Sequence, residues 1–413
     1  MANIMSFYIQ PADITAAYER IQKDIVNTPL VRSQTLTDIT GSTALFKLEN
    51  LQMTGSFKER GALNKLLSLN DEEKSRGVIA ASAGNHAQAL AYHGGRLGIS
   101  VKIVMPKYSP IVKVKSTEHW GAEVVLSGET FDDAMAASME IVKEEQRTYI
   151  HPFDDPLIAA GQGTIGIELL ASEFSNDIDA ILVPVGGGGL ISGIVTWIRD
   201  QNPDIAIIGV EESSCDAMHR ALQEGAPRLV DPAPVIADGI AVRKVSAENL
   251  RIVNALVDEV VSVSADEIAN AIMLMLEIEK LVVEGAAATP LAALVNNRLP
   301  QLKGKTVVSV VSGGNIDVNL LSRIIEQGLA FDGRVSRVET VIRDRPGMLE
   351  ALLSIFRHAG ANVLEINHHR LSPNAPIGQV GVSITLETRD RSHLEEIETA
   401  LVAGGYPIMS GAA

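Results

Sequence analysis

Residues Ala180–Arg199 read AILVPVGGGGLISGIVTWIR. The first six, Ala180–Val185, contain no polar side chain, as expected of a strand covered on both faces. The last ten, Leu190–Arg199, carry apolar residues at helical spacing. Between them stand Gly186, Gly187, Gly188 and Gly189. A simple strand–helix turn needs one or two glycines. Four present successive N–H groups without side-chain obstruction at a helix N-terminus, which is a cup for a phosphate. No Gly-Lys-Ser/Thr follows, so the loop is not a P-loop.

The same strand–helix alternation extends outward in both directions. Strand-like runs occur at Gly77–Ala81, Val101–Met105, Ile205–Val210 and Thr306–Val311, and helical patterns at Ala87–Leu97, Phe131–Gln146 and Ala265–Lys280. Short, continuously apolar strands alternating with helices predict an α/β body with parallel sheets. From Val335 the pattern changes. Strand Val335–Ile342, the turn Asp344-Arg345-Pro346-Gly347, helix Met348–Ala359, strand Asn362–Leu371, strand Gln379–Glu387, helix Ser392–Ala403 and a short strand near Tyr406–Met409 give a ferredoxin-like βαββαβ unit. Residues 328–333 read as the linker between a body of residues 1–327 and a tail of 334–413.

The chain has 413 residues with 46% hydrophobic and 21% charged, the make-up of a globular protein of two or three domains. Its 51 acidic and 35 basic residues give a net charge of −16, against a nucleic-acid partner. The single cysteine, Cys215, cannot form an internal disulfide and fits a reducing, cytoplasmic setting. No stretch of about 18 apolar residues predicts a membrane span, and the N-terminus lacks the basic and apolar regions of a signal peptide.

Three further turns carry chemistry. Ser56-Phe57-Lys58-Glu59-Arg60-Gly61 places Lys58 at a helix start, where the positive field favours the neutral amine, a nucleophile or Schiff-base former. Taken alone, Lys58 reads as a solvated helix lysine. Ser82-Ala83-Gly84-Asn85-His86 follows a strand and opens a helix, an arrangement suited to a carboxylate; alone, His86 reads as a core-edge residue. Ser312-Gly313-Gly314-Asn315 puts a hydroxyl at the carboxyl end of a strand, where α/β proteins meet ligands. Gly161-Gln162-Gly163-Thr164-Ile165-Gly166 matches a dinucleotide fingerprint literally, but no strand precedes it and no acidic residue stands about 20 positions on. It reads as helix packing.

Together, S-F-K-x-R-G, S-x-G-N-H, G-G-G-G, Glu284-Gly285-Ala286 and S-G-G-N, in that order over residues 56–315, strongly resemble the fold-type II pyridoxal-phosphate (PLP) enzymes, most closely the threonine dehydratase branch. The resemblance implies a small subdomain of about residues 48–155 inserted in a larger one. It implies that Lys58 carries PLP and later removes the Cα proton, with Phe57 against the pyridine ring, Asn85 at its phenolic oxygen and Ser312 at its nitrogen. Gly186, Gly187, Gly188 and Gly189 would hold the phosphate, with Leu190 opening the helix behind them. Ser82, Asn85 and His86 would receive the substrate carboxylate, and Glu284 would lie near the departing β-hydroxyl. Phe153 and Gly239 would shape the pocket for the β-substituent.

The implied reaction is conversion of L-threonine, or L-serine, to a 2-oxo acid and ammonia. A hydroxyaspartate lyase, a serine racemase or a catalytically silent amino-acid sensor stand as alternatives. Ala83 occupies the position where serine racemases keep a second acid/base, which favours one-sided elimination. The cation site of some relatives would use Glu211 and Cys215, but its third position is Ala217 with Asp216 one place out of register, so no metal is assigned. The tail resembles an ACT domain. That implies a homodimer or homotetramer and an amino-acid effector near Asp344, Gly347 and Asn362.

Overall fold

The computed structural model describes residues 7–231, 235–370 and 376–409. The chain divides into two compact units, Met1–Ile316 and Asp317–Ala413.

In the first unit the chain opens a large sheet with β1 (Leu30–Ser33) and β2 (Thr43–Leu48), then leaves it for a smaller one. The smaller sheet holds β3 (Val78–Ala81), β4 (Val101–Met105), β5 (Glu123–Leu126) and β6 (Thr148–Tyr149). β7 (Ala180–Pro184), β8 (Ala206–Glu212), β9 (Glu259–Val263) and β10 (Thr306–Val311) then complete the large sheet. Its order is β1-β2-β10-β7-β8-β9, with β1 antiparallel and the other pairings parallel. The smaller sheet, β5-β4-β3-β6, is parallel throughout. All five residues of β7 are buried, as its unbroken apolar run requires.

β2 reads TALFKL, a buried strand interrupted by Lys47, which is 1% exposed. A buried cation needs partners. Lys47 Nζ donates to Glu168 at 2.5 Å and to the Thr28 carbonyl at 2.6 Å. Arg60, two residues beyond Lys58, grips Glu49 with two bonds of 2.8 Å and Glu168 with bonds of 2.6 and 2.8 Å. This cluster ties the helix Lys58–Leu67 to β2 and to the helix Pro156–Leu170. Deleting one member leaves a buried charge unpaired, at a cost of about 3–5 kcal/mol.

The literal dinucleotide fingerprint lies inside the helix Pro156–Leu170. A Cβ on Gly161 would stand 2.6 Å from the Gly61 Cα, and one on Gly163 2.8 Å from the Gly193 carbonyl. These glycines let three helices approach backbone to backbone, which is the packing role read from the sequence.

The second unit begins with a helix, Val318–Phe331. Residues 328–331, expected to belong to a linker, are its last turn. One interior glycine costs a helix about 1 kcal/mol, too little to end one anchored by the buried Ile324. The unit continues through β11 (Val335–Arg343), helix Met348–Ala359, β12 (Asn362–His369), β13 (Gln379–Glu387) and helix Arg391–Ala403. The three strands form an antiparallel sheet in the order β11-β13-β12. The expected last strand is reduced to one bridge, Met409 on Glu339. The expected strand Asn362–Leu371 ends at His369, and Leu371 lies outside the described residues.

Candidate active site

The carboxyl ends of β10, β7 and β3 gather the residues singled out above. Beyond β2 a short 3₁₀ turn, Glu49–Leu51, leads to Ser56, which bridges Gly313. Phe57 N–H donates to the Ser312 carbonyl at 3.0 Å. The first residue of the next helix, Lys58, is thereby fixed beside the end of β10. Its Nζ lies 5.2 Å from the Phe57 ring centroid and donates to the Pro152 carbonyl at 2.8 Å. Burial pulls its pKa down to about 8, with the Glu284 carboxylate opposing. The lowering comes from burial rather than from the helix field expected above.

The two histidines near Lys58 stay neutral. His86 is buried, and its Nε2 contacts the Ile150 carbonyl at 3.1 Å. Burial, reinforced by the Lys58 charge, lowers its pKa to about 3. Burial likewise lowers His151, whose Nδ1 accepts from Phe153 N–H and Asp154 N–H. The His86 imidazole is thus committed to Ile150, and a substrate carboxylate can use only its backbone N–H.

Asn85 opens the helix Asn85–Leu97, whose first N–H groups lack intrahelical acceptors. The loop before it is wired through side chains. Ser82 Oγ accepts from Gly84 N–H at 3.3 Å. Asn85 Nδ2 lies 3.0 Å from both oxygens of Glu284, and Asn85 Oδ1 accepts from Asn315 Nδ2 at 2.6 Å. Asn315 Nδ2 also donates to the Thr54 carbonyl at 2.9 Å. Glu284 precedes the helix Gly285–Val295, and its N–H donates to the Gly313 carbonyl. Burial raises its pKa to about 7, moderated by the Asn85 hydrogen bond. A carboxyl near 7 beside an amine near 8 is an acid/base pair of the kind that moves protons at neutral pH.

The glycine loop is stripped of side chains. Gly188 has φ +91°, and a Cβ there would stand 2.8 Å from Asn249 Cβ and from Met218 Cε. A Cβ on Gly187 would fall 2.3 Å from the Phe153 ring. Leu190, in the helix Gly189–Gln201, packs into the main core behind the loop. Ser312 Oγ is buried without a hydrogen-bond partner among the described residues. An unpartnered buried hydroxyl, an amine bonded only to a carbonyl, and a side-chain-free loop at a helix N-terminus together fit PLP, which brings a ring nitrogen, an aldehyde and a phosphate.

Not all of the remaining expected residues join this group. Gly239 abuts Glu284 Oε1, at 3.1 Å from an added Cβ, whereas Phe153 lies under the glycine loop. Glu211 is spent on capping: its oxygens accept Met218 N–H and His219 N–H at 2.9 and 2.8 Å. In the second unit Asp344 lies 3.6 Å from Arg370, beyond the Arg343 end of β11, and Gly347 caps the next helix with φ +84°. Asn362 pairs with Glu387, level with Val335 at the opposite end of the sheet. Eight rungs, about 26 Å, separate it from Arg343, so within one chain the three expected effector residues do not form one site. Unforeseen were Pro152, Asn249 and Tyr8, for which no local pattern exists. Asn315 was in the quoted motif without a role.

Comparison with known proteins agrees with this geometry. The family described as pyridoxal-phosphate dependent enzyme matches residues 21–313. An L-threonine ammonia-lyase of Thermotoga maritima is 45% identical over 396 residues, spanning 96% of this chain and 98% of that protein. Threonine deaminase isoform 2 of Solanum lycopersicum superposes with TM-score 0.71 at 36% identity, covering 76% of this chain and 91% of its own. Serine racemase from Dictyostelium discoideum gives TM-score 0.70 at 36% identity, covering 75% and 99%.

Proposed function

The chain belongs to the pyridoxal-phosphate dependent enzyme family, and from that membership we propose that it is a threonine ammonia-lyase. It converts L-threonine to 2-oxobutanoate and ammonia and treats L-serine in the same way. The observation that carries this reading is that Lys58 and Glu284 are fixed at one strand end, Phe57 N–H donating to the Ser312 carbonyl and Glu284 N–H to the Gly313 carbonyl, with the amine lowered to about 8 and the carboxyl raised to about 7.

When bound, PLP supplies the electron sink that makes the Cα proton of an amino acid removable. Lys58 would hold it through Nζ, and the same amine, when free, would be the base for the Cα proton. Glu284 in its protonated form gives a proton to the β-hydroxyl, which leaves as water. Asn85 Nδ2, with two hydrogens, steadies Glu284 and has donor capacity toward the ring's phenolic oxygen. The N–H groups opening the helix Asn85–Leu97 would receive the substrate carboxylate, Ser312 Oγ would serve the ring nitrogen, and the loop Gly186–Gly189 would hold the phosphate. Because Ala83 offers no proton, one face alone is served, which favours elimination over racemisation.

The Asp317–Ala413 unit has the antiparallel sheet and helices of a ferredoxin-like module, and we read it as an ACT-type amino-acid sensor on an oligomeric, cytoplasmic enzyme. The Asp344–Gly347 turn is its candidate effector contact. Among the described residues, no helix is long and apolar enough to cross a membrane.

The test is release of 2-oxo acid from L-threonine, L-serine and 3-hydroxyaspartate, with D-serine assayed in parallel. The reading expects threonine and serine to be consumed without D-serine formation. No release from either, or D-serine as the main product, overturns it.

A further inference from the structure

A loop made only of glycine has no side chain with which to hold its own peptides in place, so something outside must do it. Asn249, fully buried at the start of the helix Ala247–Leu256, lies against the glycine loop. Its Nδ2 donates to the Gly187 carbonyl at 2.9 Å and to the Phe153 carbonyl at 3.0 Å. Its Oδ1 accepts from the Tyr8 hydroxyl at 2.6 Å, a contact across 241 positions of sequence. That contact decides which way round the amide sits: a phenol donor fixes the oxygen, which turns the NH₂ to the two carbonyls. The phenol stays protonated, because burial, then Asp154, Asp155 and Glu248, push its pKa upward. The same turn has a second tie: Ser246 Oγ donates to Asp154 at 2.5 Å and accepts Asn249 N–H at 3.3 Å.

The consequence follows from peptide geometry. In a trans peptide the carbonyl and the following N–H point in opposite directions, and the described chain contains no cis bond. With the Gly187 carbonyl drawn toward Asn249, the Gly188 N–H must point away from it. We propose that Asn249, oriented by Tyr8, is the positioning residue of the phosphate cup, setting the Gly187–Gly188 peptide so that its N–H faces the anion. Neither side chain touches the anion. The proposal rests on the reading of Gly186–Gly189 as the phosphate site.

The test uses the full-length apoenzyme, titrated with PLP, with pyridoxal (which lacks the phosphate) and with inorganic phosphate as competitor. Asn249→Ala strands two carbonyls and frees the loop. It is expected to weaken PLP about 10–100-fold, the scale of one or two hydrogen bonds with their unpaired acceptors, while pyridoxal affinity stays within about twofold. Tyr8→Phe, which removes one hydroxyl and keeps the ring, is expected to weaken PLP about 3–10-fold with the same selectivity. Equal weakening of PLP and pyridoxal, or an unchanged ratio in folded Tyr8→Phe, overturns the proposal even if Asn249→Ala does not fold. Failure of the underlying reading is distinguishable: the wild-type apoenzyme would then bind pyridoxal as tightly as PLP, without competition from inorganic phosphate.

Discussion

The loops Gly186–Gly189 and Ser82–Asn85 occupy equivalent places, each at the carboxyl end of a parallel strand and each opening a helix, yet they are built from opposite materials. The first has no side chains, one residue at φ +91°, and the Phe153 ring and Asn249 pressed against it. The second is wired by side chains, Ser82 to Gly84 and Asn85 to Glu284 and Asn315. The difference matches two ligand problems. A phosphate that stays put spreads its charge over its terminal oxygens and is best met by fixed backbone N–H groups. A substrate that enters, exchanges protons and leaves needs groups whose protonation and orientation can respond, which only side chains supply.

Substituting Glu284, the titrating end of the wired loop, separates the two most sharply. Glu284→Gln keeps the hydrogen bond from Asn85 and loses the proton, so kcat is expected to fall about 10²–10⁴-fold with PLP affinity unchanged. The pH profile gives the sign. Lys58 works unprotonated, a fraction that rises with pH through about 8. Glu284 works protonated, a fraction that falls with pH through about 7. Their product is a bell with limbs near these values and a maximum at about pH 7.5. In Glu284→Gln the falling limb should vanish, leaving activity that rises and levels off. A retained falling limb would assign the acid to another group.

A methyl group placed in each loop sharpens the contrast. In Gly188→Ala it must adopt positive φ and meet Asn249 and Met218 at 2.8 Å, so PLP affinity is expected to drop at least about tenfold, given strain of about 1–2 kcal/mol before any clash. In Gly84→Ala it meets nothing within 4 Å and keeps φ at −129°. PLP affinity should then hold, and the KM for threonine should rise a few-fold, about 2–5, as the methyl crowds the carboxylate N–H groups. Equal effects in both, measured by PLP titration and initial rates, would erase the distinction. A smaller loss of kcat than in Glu284→Gln is expected from Asn315→Ala, which frees the Asn85 amide to rotate while leaving its bonds to Glu284 possible. The expected loss in kcat is about 3–10-fold.

Legibility in the sequence followed the same divide. β4 and β10 were read at their exact bounds because each is a short, mostly apolar run buried along nearly its whole length, whereas nothing local to β2 signals that Lys47 is neutralised by Glu168, 121 positions away. Lys58, Asn85, Glu284, Ser312 and the glycine loop were legible as motifs in order, though the long-range bonds that orient them were not. Nothing near Asn249 or Tyr8 signals that one aligns the other. Asn362 misled for the reverse reason, since its place in a tail pattern says nothing of which end of the sheet it joins.

Lys58 is the residue assigned to hold the cofactor, and reduction of the PLP-loaded enzyme with borohydride followed by peptide mapping tests this most directly. The account predicts a stable pyridoxyl label on the peptide containing Lys58, absent from Lys58→Ala. A label on any other lysine of the wild-type protein, or colour and label undiminished in dialysed Lys58→Ala, would contradict it.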